Sequence, residues 1–175
     1  MGTQDGQPVV MTGHQEIDSQ HEELEQLIRN LGTVCELRTK TGTCCIECPA
    51  DCRTSCTNKL ANLLADLLGF VVTHFAYEET LMRRLPSTRE CLQHIDEHKL
   101  AHAEVSSQLA GLAGQLMHEE PRQCGKRLEE IISSWMGSHS GSLDVQLARN
   151  LDSIDDTELA YDVKLARLLE RPVTL

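Results

Sequence analysis

Aromatic residues are scarce in this 175-residue sequence, where two Phe, two Tyr and one Trp make up 3% of the chain. Runs of β-branched residues are few as well, so the material for paired strands is thin. Basic residues are in short supply, with 16 Lys and Arg against 27 Asp and Glu. The resulting charge of -11 repels phosphate backbones and anionic lipid surfaces, which sets nucleic-acid binding aside. The N-terminal stretch MGTQDGQPVVMTGHQEID has no basic segment followed by an apolar one, and no run reads as a membrane span. Gly6 breaks an N-myristoylation pattern and the Leu175 end carries no prenylation cysteine. One soluble, cytoplasmic domain is the expectation at this length.

What the sequence does have is helical periodicity. Ile17, His21, Leu24, Leu27, Ile28 and Leu31 recur at three- and four-residue steps and predict a first helix from about Asp18, its N-cap, to Leu31. A second runs from about Thr57 to Leu85 on a broad apolar face and stops at Pro86. Ser87-Thr88-Arg89-Glu90 has capping-box spacing and starts a third helix that reaches about His118. Pro121 opens a fourth, with Leu128, Ile131, Ile132, Trp135 and Met136 in helical register, reaching Asp144 or slightly beyond. Leu159, Val163, Ala166 and Leu169 form the stripe of an amphipathic tail helix. The fold expected is all-α: an up-down four-helix bundle over 1–150, with a C-terminal amphipathic helix over 151–175.

The chemical signal is a set of imidazoles and carboxylates at one-turn intervals on these helices. His74 and Glu78 stack on one face of the second helix, and His94 and His98 repeat that spacing on the third. His21 stands on the first. His139 and Asp144 stand on the fourth, five residues apart, which turns them away from each other on a regular helix. That pair needs metals lying between its members, or a local irregularity. Any one of these motifs is ordinary; their succession on four helices is not. No Glu-x-x-His occurs, which separates the set from the carboxylate-rich di-iron enzymes of the ferritin type.

The segments EIDSQHEEL, THFAYEETLM, HIDEH and WMGSHSGSLD resemble the four helix signatures of bacterial hemerythrins, from about Gly13 to about Leu147. The resemblance implies two non-haem irons joined by an oxo or hydroxo bridge, with His21, His74, Glu78, His94, His98, His139 and Asp144 as ligands and the two carboxylates bridging. By it, His94, His98 and His139 hold one iron, and His21 and His74 the other. If each iron takes about six ligands, about twelve positions exist. Five imidazoles, two bridging carboxylates and the shared oxygen fill about eleven, so the resemblance implies one open position where dioxygen binds reversibly. Trp135 and Met136, one turn before His139, would line that oxygen pocket; Met136 stands where relatives commonly have Leu. A carrier or an oxygen or redox sensor is ranked ahead of an enzyme acting on peroxide or nitric oxide, because no acid or base beyond the ligands is apparent; an iron-storage or structural metal protein, with the Cys-rich loop as a separate metal or redox site, is the third reading.

Other residues fall outside this pattern. His14 and His118 read as solvent-exposed, and His102 as lying one turn beyond the metals, with a supporting or substitute ligand as the alternative. The connection between the first two helices, about 33–56, carries Cys35, Cys44, Cys45, Cys48, Cys52 and Cys56. Pro49 could start a helix that carries Cys52 and Cys56 one turn apart; with Cys45 and Cys48 these could surround a zinc ion or hold an iron–sulfur cluster, form a redox-sensing disulfide, or be inert thiols. That loop and the tail helix are the candidate surfaces for a signalling or redox partner. Cys91 and Cys124 read as helix-packing residues.

Overall fold

The computed structural model describes residues 10–34 and 48–153. The tail helix expected over 151–175 falls, beyond Ser153, outside the described residues, as do Cys35, Cys44 and Cys45 of the loop. The elements are α1 (Gln15–Leu31), α2 (Ala50–Met82), α3 (Arg89–Gln115), α4 (Pro121–Ser138), a π-helical segment His139–Asp144, and α5 (Val145–Asp152). α1 packs on α2, α2 on α3, α3 on α4, and α4 back on α1, which closes a four-helix bundle. Short connections at 83–88 and 116–120 force antiparallel neighbours.

Three boundaries differ from the sequence expectation, each for a local reason. α1 begins earlier, because the His14 ring, not Asp18, accepts from the Ile17 N–H at 3.5 Å. Asp18 instead accepts from the backbone of Thr12 at 2.7 Å and of Gly13 at 3.1 Å, pinning the incoming chain. Gly13 makes that turn at φ +88, a conformation that disfavours a side chain. His14 is consequently half-buried rather than exposed, while His118 is exposed. α2 begins at Ala50 behind Pro49. Its first turns are polar, which hides them from apolar periodicity, and Thr54 and Thr57 donate their hydroxyls to the carbonyls of Ala50 and Arg53. α3 is capped by Thr88, which accepts from the Cys91 N–H at 3.2 Å, one residue later than the box at Ser87.

A fourth correction concerns α2 as a whole. By length and composition it is apolar enough to cross a membrane, contrary to the sequence reading, yet only half of that stretch is buried inside the bundle. Its inner face carries buried His74 and Glu78, which suits a core helix whose polar groups meet partners from neighbouring helices.

Two apolar clusters fill the bundle. The larger holds Leu24, Leu67, Phe75, Leu109, Leu128 and Trp135 among others. The smaller holds Ile17, Leu81, Met82, Cys91, Leu147 and Leu151. Each fully buried Leu contributes about 1.5–3 kcal/mol. Cys124 is fully buried in the larger cluster and Cys91 nearly so in the smaller, in keeping with packing roles. Along α1, α2 and the fourth helix with its extension, the buried polar residues lie in sequence between members of the two clusters: His21 between Ile17 and Leu24, Glu78 between Phe75 and Leu81, and Asp144 between Trp135 and Leu147.

Candidate metal centre

Seven side chains from four helical stretches converge in that polar layer. Asp144 Oδ2 is 3.0 Å from His21 Nε2, and its Oδ1 is 3.1 Å from both His98 Nε2 and His139 Nε2. Glu78 Oε2 is 3.0 Å from His102 Nε2, 3.4 Å from His98, 3.5 Å from His74 and 3.6 Å from His139. Two groups have ligand atoms within 4.8 Å of one another: Glu78, His98, His102 and His139, and His74, Glu78, His139 and Asp144. All of these residues are at most 3% exposed.

His139 and Asp144 meet because the helix changes type between them. At about 100° per residue, a five-residue step on an α-helix leaves side chains about 140° apart. The π-helical turn from His139 to Asp144 takes up the extra residue and brings them onto one face. Ser140, Gly141 and Ser142 are weak α-formers and yield to it. The Ser142 hydroxyl also donates to the Ser138 carbonyl.

The α3 ligands are set by register. Lys99 reaches Glu79 at 3.8 Å, and His102 stacks flat on Phe75 with ring centroids 3.7 Å apart and planes 6° apart. The level of Glu78 on α3 therefore falls between His98 and His102. The structure overturns the reading that His102 lies too far away, and it places His94 outside both groups, one turn or about 6 Å along α3.

The electrostatics fit a cation. Nε2 of His139 is 3.0 Å from Nε2 of His98 and 3.2 Å from Nε2 of His102, so ring edges that can share at most one proton per pair face the same space. His21 Nε2, His74 Nε2, Glu78 Oε1 and both Asp144 oxygens are buried without a hydrogen-bond partner, close in distance but not in alignment. Each such orphan costs about 1–3 kcal/mol, which a shared metal ion would relieve. Burial pushes both carboxyls up, yet His74 beside Glu78, and His139, His21 and His98 beside Asp144, hold them well below the usual carboxylate range. Burial likewise lowers His139, but Asp144 and Glu78 outweigh it and raise the group to about 9. At His74 burial wins and lowers it to about 4, and His102 is lowered for the same reason.

The hemerythrin HHE cation binding domain family matches residues 12–140. This chain belongs to the hemerythrin family. No curated protein and no solved structure aligns with it at a significant level. The family match contains His21, His74, Glu78, His94, His98, His102 and His139 but stops short of Asp144, which enters the layer through the π-turn.

Around this hemerythrin-type layer stand residues that sequence spacing did not reveal. Gln20 turns its amide oxygen to His74 Nδ1 at 2.7 Å. Glu79 approaches His102 Nδ1 at 3.5 Å. Phe70 stacks on His74, and Trp135 lies 5.2 Å from His139 and 5.6 Å from Phe75, ring to ring. Met136 is half-buried and packs against the larger cluster. Gln20 could have been noticed beside His21, and Phe75 beside His74, but neither carries a motif of its own. Of the loop cysteines within the described residues, Cys48 is buried just before α2, while Cys52 and Cys56 are half-buried on its first turns, one turn apart.

Proposed function

We propose that this chain is a non-haem di-iron protein that binds dioxygen reversibly, as a carrier or as an oxygen or redox sensor. The observation that carries the reading is the convergence of five imidazoles and two carboxylates, buried and under-satisfied, in one layer. His98, His102 and His139 would hold one iron, His21 and His74 the other, with Glu78 and Asp144 shared between them. An iron pair, when bound, would supply an oxidisable centre that can lend two electrons to a small diatomic ligand. Neutral imidazoles donate less charge than carboxylates, which favours binding over oxygen–oxygen cleavage.

The chain's own side chains prepare the site. Gln20 accepts from His74 Nδ1–H and so leaves Nε2 free to donate to a metal. Phe70, Phe75 and Trp135 wall the imidazoles and keep bulk water from them. Loading with ferrous iron without air, followed by metal analysis and visible spectra under nitrogen, in air and after degassing, tests the reading. The expected result is two irons per chain and a visible band that appears in air and vanishes on degassing. Fewer than two irons, or an immediate permanent change of spectrum, overturns it.

A further inference from the structure

The chain has eight cysteines, and the di-iron reading uses none of them. Among the described residues they fall into two kinds. Cys91 and Cys124 are buried within the apolar clusters, as packing residues are. Cys48, Cys52 and Cys56 instead gather at the start of α2, where Cys48 is buried just before the helix and the other two are half-buried on its first turns. Cys52 and Cys56 continue, toward the N-terminus, the four-residue steps of the buried Leu60 and Leu64. They therefore stand on the inward side of α2, beyond its last core leucine. The polar layer is remote from them, since at 1.5 Å per residue Cys56 is about 27 Å from His74 along the helix.

The helix decides between the chemistries open to these thiols. Side chains four residues apart on an α-helix have Cβ atoms about 5–6 Å apart, whereas a disulfide needs them at about 3.5–4.5 Å. Cys52 and Cys56 therefore cannot bridge unless the first turns of α2 unwind. A metal ion spans the wider gap. Two thiolates bound tetrahedrally at about 2.3 Å lie about 3.8 Å apart, a separation their sulfurs can reach across an intact helical turn. Iron–sulfur clusters take four thiolates, one more than these three residues supply. Three thiolates on a divalent ion carry a single net negative charge, which suits the first-turn N–H groups of a helix. The N-cap of α2, Pro49, offers those groups no side-chain cap. Among the described residues no three sulfurs lie within 4.8 Å of one another, so the ion itself draws the ligands together.

We propose that Cys48, Cys52 and Cys56 form a second metal site, a three-thiolate clamp for one thiophilic divalent ion of the zinc class at the entry to α2. Binding exchanges three thiol protons for one divalent ion and changes no oxidation state. The clamp ties the residue before Pro49 to the first turns of α2 and leaves a fourth tetrahedral position for water or another donor. It is independent of the di-iron reading.

The test uses the reduced full chain, with cadmium(II) as the probe. Sulfur bound to cadmium gives an ultraviolet charge-transfer band that the nitrogen and oxygen donors of the polar layer do not produce, so the two sites are read separately. One cadmium per chain is expected to generate the band, and excess zinc to abolish it. Losing an outer-shell partner weakens a metal site about 10–100-fold, so losing a direct ligand should weaken cadmium binding at least about tenfold in each of Cys48→Ser, Cys52→Ser and Cys56→Ser. Cys91→Ala, in the smaller apolar cluster, should match the wild type. The wild-type band and its removal by zinc need no variant. No band in the wild type, a band that excess zinc leaves in place, or a serine variant that falls short of the tenfold loss overturns the clamp.

Discussion

Replacing Gln20 by Leu probes how the layer is prepared for a metal. The amide oxygen of Gln20 lies 2.7 Å from His74 Nδ1, so the proton sits on Nδ1 and the Nε2 lone pair is free. In Gln20→Leu that preference disappears. The metal-free protein has an easy remedy, because the proton can move to Nε2 and face Glu78 Oε2 at 3.5 Å. Loss of stability without metal should therefore stay below about 1.5 kcal/mol, the upper range for one net hydrogen bond. The metal-bound protein has no such remedy, since Nε2 must be bare to donate. Removing an orienting partner of this kind weakens metal affinity about 10–100-fold, or about 1.4–2.8 kcal/mol at 1.4 kcal/mol per tenfold. Gln20→Glu keeps an acceptor at the same place and should retain affinity. Competition titrations against a chelator, with cobalt(II) or ferrous iron, measure the effect. A Gln20→Leu affinity within threefold of wild type, or an equal loss in Gln20→Glu, refutes the argument.

Four further outcomes follow from the same structure. His139, raised to about 9, is protonated at neutral pH without metal, so metal uptake at pH 7 should release protons, read as a dependence of binding heat on buffer ionisation. In the metal-free protein the His139 contribution is complete below its unfolded pKa of about 6.5 and fades as pH rises through about 9. Those of Glu78 and Asp144, whose pKa values are depressed, are complete above about 4 and are lost as pH falls further. His74, lowered to about 4, and His102, lowered as well, contribute in full only above about 6.5 and less as pH falls, so melting temperature should peak near pH 6.5 and fall on either side, and a peak below about 5 or above about 9 would contradict the assignment. Asp144→Asn, which removes the charge shared by His21, His98 and His139, should lower bound metal below two per chain by elemental analysis while the helical circular dichroism is kept. Leu128→Ala, at a fully buried site, should cost about 2–5 kcal/mol in denaturant unfolding, whereas Val72→Ala, 67% exposed, should stay within about 0.5 kcal/mol.

Much of this protein was legible in its sequence. Apolar residues at three- and four-residue steps fixed the helices, because burying one face of a helix demands that period. The same period placed His21, His74, Glu78, His98 and His139 on inner faces, since ligands that meet inside a bundle must share the faces that pack. The helix that Pro49 could open was legible, but its polar first turns hid from apolar periodicity that it runs on unbroken into α2. The cap of α3 slipped from Ser87 to Thr88, because adjacent hydroxyls offer nearly equal acceptors. Gln20 and Phe75 escaped notice because a residue that orients or walls a ligand is recognisable only from what it touches.

Two matters were left for the tertiary structure. A series such as His94, His98 and His102 repeats with the helix itself, so local spacing cannot say which two rungs face Glu78. The α2–α3 connection sets how far the helices slide past each other, and the Lys99–Glu79 and Phe75–His102 contacts fix that register. Likewise, five residues between His139 and Asp144 forbid a shared face on an α-helix. Only the π-turn, drawn by the packing of Leu147 and Leu151 below it and Trp135 above, lets both side chains enter one site.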